Sequence, residues 1–206
     1  MKRFRMFAGA FAAMIALAGP AFSQTIIDEW ASVKTPPPPA LKPVTVDPKT
    51  TALLMLDFMN QNCGKRPRCI ATIPAVKKLL SEARGKGAAV VYSIIANTTS
   101  ADVMTDVAPA ANEPSVLSGP DKFLRTDLEK ILKERNIQTV VVVGTAAHGA
   151  VLYTGSGAAL RGMNVIVPVD GMSADPYPEQ YTAWHMANAP VLSQRVTLTK
   201  LDMIKF

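Results

Sequence analysis

The chain has 206 residues, 49% of them hydrophobic and 18% charged, with two cysteines and a formal net charge of +6. That balance excludes a disordered chain, a collagen-like or low-complexity array and a disulfide-dense scaffold, and the length suits one domain or two small ones. The positive charge is no nucleic-acid signal, because Lys2, Arg3 and Arg5 supply three of the six net charges and fall in a segment expected to be removed.

Residues 1–23 have the form of a secretory signal peptide. Lys2, Arg3 and Arg5 make a basic start, residues 6–18 an apolar run, and Ala21 and Ser23 put small side chains at the −3 and −1 positions of a cleavage site before Gln24. An apolar run of 13 residues falls short of the ~20 that a membrane span needs. Nothing further along reads as a span, so the mature chain is expected at net +3 in the periplasm or outside the cell. That compartment is oxidising. Cys63 and Cys69, in CGKRPRC, then read as reactive thiols (one of them even a relocated nucleophile) or as a small disulfide loop holding Lys65, Arg66 and Arg68 near the first strand. Export favours the disulfide. A zinc site is not expected, since no His lies close by.

Residues 24–46 read as a proline-rich arm, with TPPPPALKP at 35–43 favouring extended polyproline II. The domain proper is expected over 47–206. TALLMLD (51–57) is a continuous apolar run ending in Asp57, the pattern of a strand buried on both faces. A helix is expected at about 73–86, with Val76, Leu79, Leu80 and Ala83 on one face and Gly87 ending it. AAVVYSII (88–95) reads as a second strand, and 96–120 as a long irregular loop of the kind that is functional or mobile. Thr126 and Glu129 have the spacing of a capping box opening a helix to about Arg135. TVVVVG (139–144) is a third strand, 149–162 a helix with a small-residue face, NVIVPVD (164–170) a fourth strand, 178–188 a helix and RVTLT (195–199) a last strand. Strand and helix alternate throughout. The expected fold is therefore a three-layer αβα sandwich on a mainly parallel sheet, with its site beyond the strand C-termini.

Two strand ends carry the candidate chemistry. Asp57 stands at the mouth of a buried sheet, where partial desolvation suits a carboxylate to proton transfer; the plainer reading is a capping or ion-paired Asp. The turn Gly144-Thr145-Ala146-Ala147-His148-Gly149-Ala150 leads from strand to helix with little side-chain bulk. Its backbone N–H groups could face an oxyanion, or the turn could simply need small residues. His148 in that turn could be a base or a substrate hydrogen-bond donor, or be satisfied by neighbouring backbone. His185 is the weaker candidate, and Trp184 beside it reads as core or subunit interface.

Over about 50–200 the sequence resembles the isochorismatase-like hydrolases, also called cysteine hydrolases. The resemblance rests on TALLMLDFMNQN, on KFLRTDLEKILKERNIQTVVVVGTAAHGAV and on LYTGSGAALRGMNVIVPVDGMSA. These are similar to the family's first-strand aspartate segment, its F-x-x-T-x-L helix start, and its G-x-x-T-D-x-C-V turn with the segments that follow. The resemblance implies that Asp57 is the catalytic aspartate and that Ala146 and Ala150 supply the oxyanion N–H groups, with a non-proline cis peptide at Thr145–Ala146. It also implies a small-molecule substrate and a homo-oligomer, and neither a cofactor nor a nucleic-acid partner is expected.

The departures matter as much. The family's nucleophilic cysteine aligns with Ala150, and alanine cannot attack a carbonyl. The family's lysine lies several residues before the Phe, near Leu117 by count, whereas the lysine present is Lys122, directly before Phe123. It either reaches the site through a rearranged loop or is an ordinary surface lysine. The family's frequent metal set after the first strand has no counterpart, so no metal is expected. Two readings remain: a thiol-independent hydrolase with Asp57 as general acid/base, and a small-molecule-binding pseudoenzyme of the same fold.

Overall fold

The computed structural model describes residues 25–206; the signal peptide expected at 1–23, and its cleavage site before Gln24, lie outside the described residues. The chain divides into two compact units, Met1–Pro36 and Pro37–Phe206. In the first, the described part holds one short helix, α1 (Ile26–Glu29), with no buried residue. The second contains, in order, β1 (Val44–Thr45), β2 (Thr51–Leu56), α2 (Pro67–Gly85), β3 (Ala89–Ile94), β4 (Ser115–Leu117), α3 (Leu128–Glu134), β5 (Thr139–Thr145), α4 (Leu152–Leu160), β6 (Asn164–Pro168), β7 (Met172–Ser173), α5 (Pro176–Asn188), α6 (Leu192–Arg195), β8 (Val196–Thr199) and β9 (Ile204–Lys205).

The main sheet runs β4-β3-β2-β5-β6-β8, all parallel, and β7 pairs with the end of β5 that β6 leaves open. Strand periodicity explains the layers. Side chains alternate across a strand, so Leu54, Leu56, Val140, Val142, Val165 and Val167 enter one core while Leu53, Met55, Val141, Val143 and Ile166 enter the other. The first core is closed by α3, α4, α5 and α6, through residues such as Leu128, Leu132, Val151, Met186 and Leu192. The second is closed by α2, through Ile73, Val76, Leu79, Leu80 and Ala83. A sheet covered on both faces needs apolar residues at every strand position, and β2 is buried along its whole length. The three-layer sandwich on a parallel sheet is therefore as the alternation of elements implies.

Several expectations need correction. The arm does not extend to residue 46: Pro37 onward belongs to the compact unit. Lys42 N–H donates to the Leu198 carbonyl, and β1 pairs in parallel with β9 at the far end of the chain. Two-residue strands carry no periodicity, so the sequence could not announce this pairing. The helix expected from 73 begins at Pro67, whose ring presets the first-turn backbone angle. The loop 96–120 contains β4, which pairs with β3.

The expected capping box does not form. Thr126 Oγ1 accepts from Leu128 N–H, but it donates to the Lys122 carbonyl, and the Glu129 carboxylate is held by Lys133 and Arg161. The hydroxyl and carboxylate have better partners than each other's backbone.

Gly144 is the tightest point of the sheet. It has φ +142, and a Cβ there would lie 2.1 Å from the Leu56 carbonyl oxygen. A Cβ on Gly155 would clash with Met186 Cε, at 2.3 Å, the movable end of a flexible side chain, and make ordinary contacts otherwise. Gly144→Ala is therefore expected to lower stability by about 3 kcal/mol or more, and Gly155→Ala by about 1 kcal/mol. Urea unfolding of the two variants beside the parent checks the order, and equal losses would contradict it.

Candidate active site

The parallel register places the candidate residues at one edge of the sheet. Leu56 lies opposite Ser93 on β3 and opposite Gly144 on β5. Asp57 is the next residue after Leu56, as Thr145 is the next after Gly144. It takes a left-handed backbone angle, φ 56, which a short polar side chain tolerates better than most. Its N–H donates to Ser93 Oγ, and the Ser93 hydroxyl donates back to Oδ1 at 2.6 Å.

Lys122 is no surface lysine. It is fully buried, and its Nζ donates to Asp57 Oδ1 at 2.8 Å, Asp57 Oδ2 at 2.7 Å and the Gly119 carbonyl at 2.7 Å. All three ammonium donors have acceptors, which is what a buried cation requires. The rest of the residue is also pinned. Its backbone N–H donates to Thr154 Oγ1 on α4, and its carbonyl accepts from Thr126. The F-x-x-T spacing thus fixes the lysine, and the adjacent Phe123 is buried with the Arg161 guanidinium 4.4 Å from its ring centre. Ser93 was the residue that sequence reasoning missed. Its signal was present as the one aliphatic-type hydroxyl within the apolar run AAVVYSII.

Beyond β5 the Thr145–Ala146 peptide is cis. A single π-helical turn, Ala147–Val151, then leads into α4. Ala150 is buried in that turn, and its methyl side chain offers no nucleophile.

The cavity beside this edge has a volume of about 390 Å³. Ala146 and His148 line it; Asp57, Lys122 and Ala150 do not. The rest of the wall includes the basic residues Lys65, Arg66 and Arg68, together with Ser173 and Asp175. His148 also borders a second cavity, of about 490 Å³, with Tyr153, Tyr177, Tyr181 and His185. His185 therefore belongs to the space between α4 and α5, its ring 5.7 Å from that of Tyr181. Trp184 is partly exposed rather than core.

A disulfide joins Cys63 to Cys69. Cys63 lies before α2 and Cys69 in its first turn, so the bridge closes the short loop that carries Lys65 and Arg66. This segment does not fit the metal set that the family resemblance brings to mind. Its donors are bridged sulfurs and its side chains cations, and among the described residues no three His, Cys, Asp or Glu side chains cluster.

Comparison with known proteins gives a consistent picture. A family profile described as "Isochorismatase domain" matches residues 51–196. Among solved structures, the chain is similar to N-carbamoylsarcosine amidase from Thermoplasma acidophilum, with 22% identity over 74% of this chain and 97% of that one and a TM-score of 0.65. It is similar to an isochorismatase-like hydrolase from Alkaliphilus metalliredigens, with 23% identity, 76% and 96% coverage and a TM-score of 0.67. It is also similar to a nicotinamidase from Staphylococcus aureus, with 19% identity, 71% and 98% coverage and a TM-score of 0.62. At these identities the structures show a shared fold. A search of curated proteins finds no match.

Removing one member of a buried ion pair leaves the other charge uncompensated and costs about 3–5 kcal/mol. Lys122→Met is expected to lose stability in that range, whereas the double variant Lys122→Met/Asp57→Leu is expected to recover most of it. Thermal unfolding of the single and double variants measures both; a single variant as stable as the parent would contradict the pairing.

Proposed function

The chain belongs to the isochorismatase family, and from that premise we propose that it is a hydrolase acting on a small molecule without a cysteine nucleophile, with Asp57 as the general acid/base. The observation that carries this reading is the Asp57–Lys122 pair, buried and oriented by Ser93 at the strand end beside the Thr145–Ala146 turn.

In this mechanism the Asp57 carboxylate takes a proton from water while the water oxygen bonds to the electrophilic carbon of the substrate. The charge developing on the substrate oxygen is met by the backbone N–H groups of Ala146 and Ala150. The proton then passes from Asp57 to the leaving group as its bond to carbon breaks. Lys122 and Ser93 orient the carboxylate throughout. The covalent route of a thiol enzyme is closed, because Ala150 offers no nucleophile. His148, on the cavity wall, is placed to hold substrate.

The alternative is a binding protein that keeps the pocket and has lost the chemistry. Two observations favour it: Ala150 itself, and a cavity wall that includes neither Asp57 nor Lys122. A hydrolase substrate screen separates the readings, run on the parent, Asp57→Asn and Ala150→Cys, with folding followed by circular dichroism. Asp57→Asn is expected to slow turnover by on the order of 10²–10⁴. Ala150→Cys is expected to gain weak activity toward activated esters or amides, and a thiol that iodoacetamide traps. Activity surviving in folded Asp57→Asn would end the Asp57 mechanism. Tight binding without turnover by the parent would favour the pseudoenzyme.

We also propose that the protein is exported and self-associates. The basic start and apolar run of residues 1–23 support export. The family resemblance supports self-association, as do the exposed aromatic side chains Tyr153, Tyr177, Tyr181 and Trp184. The mature protein is expected to begin at Gln24, to resist alkylation at Cys63 and Cys69 until reduced, and to scatter light above the monomer mass at micromolar concentration. A cytoplasmic full-length chain with two free thiols, or a monomer, would overturn the respective proposal.

A further inference from the structure

We propose that the cavity bordered by Ala146 takes the carboxylate of an anionic substrate, with Arg66 as its specificity-determining residue. The proposal deepens the hydrolase reading and rests on it for the word substrate, but not for the binding.

Three cations stand on this wall, and their partners differ. Arg68 is occupied: its guanidinium is paired with Glu179 and also donates to the Ala174 carbonyl. Lys65 and Arg66 are both exposed on the loop, and Arg66 differs in being tied to the strand end. Arg66 has no carboxylate within ion-pair distance among the described residues, and its guanidinium makes one hydrogen bond, from Nη1 to Thr145 Oγ1 at 3.2 Å. A guanidinium carries five N–H donors in a planar fork, so most of its donors have no protein partner.

A second observation points independently to a ligand. Ser173, on β7, is 2% exposed and lines the same cavity, and its hydroxyl has no hydrogen-bond partner. An unmet buried hydroxyl costs free energy that a bound acceptor would recover. The two groups are joined through Thr145, which accepts from Arg66 and donates to the Ser173 carbonyl at 3.2 Å. Arg66 and Ser173 therefore border one end of the cavity around the residue that precedes Ala146.

Charge and valence select the ligand. Asp175 also lines the wall, so the local positive excess is modest, and it lies beside Arg68, whose charge it helps hold. A guanidinium fork and one hydroxyl match the two oxygens and single charge of a carboxylate. A phosphate dianion would call for more donors and more charge. The disulfide keeps the Arg66 loop short and anchored at both ends, which limits the side-chain positions the fork can sample.

The test uses N-acetylglycine and N-acetylglycinamide, which differ only in the carboxylate, with binding to the disulfide-intact protein followed by calorimetry or ligand-observed NMR. The parent is expected to bind the acid at least ten-fold more tightly than the amide. Arg66→Met should reduce that preference to less than two-fold, with Arg66→Lys intermediate, because a point charge lacks the fork. Ser173→Ala should weaken the acid more than the amide. Asp57→Asn should leave the preference in place, which separates this subsite from the catalytic reading. A preference without turnover supports the subsite and counts against the hydrolase; Asp57-dependent hydrolysis of both probes without a preference does the reverse. No preference in the parent, a preference that survives Arg66→Met, no binding of either probe, or inorganic phosphate competing better than acetate would each overturn the proposal.

Discussion

A carboxylate and an ammonium shut away from water at the end of a parallel sheet organise this molecule. Asp57 and Lys122 would each be costly to bury alone. Together they are tolerable because further polar partners support them: Ser93 for the carboxylate, Gly119 for the ammonium, Thr154 and Thr126 for the lysine backbone. These partners come from β3, from the segment before α3 and from α4. The pair therefore ties the ends of β2 and β3 to the helical layer on one face.

That arrangement bears on the absence of a nucleophile at Ala150. The aspartate, its lysine and the small-residue turn are all present, and Ala150 in that turn is a buried methyl. The chemistry proposed for such a site is proton transfer at Asp57 with water as the attacking group. The basic wall belongs to a different part of the chain. It comes from the loop closed by Cys63 and Cys69, packed against β5 through Arg66 and Thr145 and against α5 through Arg68 and Glu179. The groups proposed for proton transfer and those proposed for anion binding thus sit on separate segments.

Much of the architecture was legible because burial leaves a local imprint. The runs 51–56, 89–94 and 139–145 are apolar at most positions and free of charge, as strands covered on both faces must be. Asp57 was conspicuous for the same reason, as the first charge after such a run. Features lacking periodicity were not legible. β1 and β9 have two residues each, β4 has three, and the α2 start depends on Pro67 more than on any apolar face. Thr126 and Glu129 matched a capping pattern, but the tertiary partners Lys122 and Arg161 won both groups.

By itself, the sequence determined the layer order, the position of an aspartate at a strand end and the small-residue turn at 144–150, because each is written in a contiguous stretch of residues. Only the tertiary structure decided that Lys122 meets Asp57 across 65 positions and Ser93 meets it across 36, and that Arg66 reaches Thr145 across 79. The reason is physical. Periodicity reports which face of an element avoids water, whereas these contacts depend on which strands lie side by side and on how the intervening loops turn, and that is settled by packing the whole sheet at once.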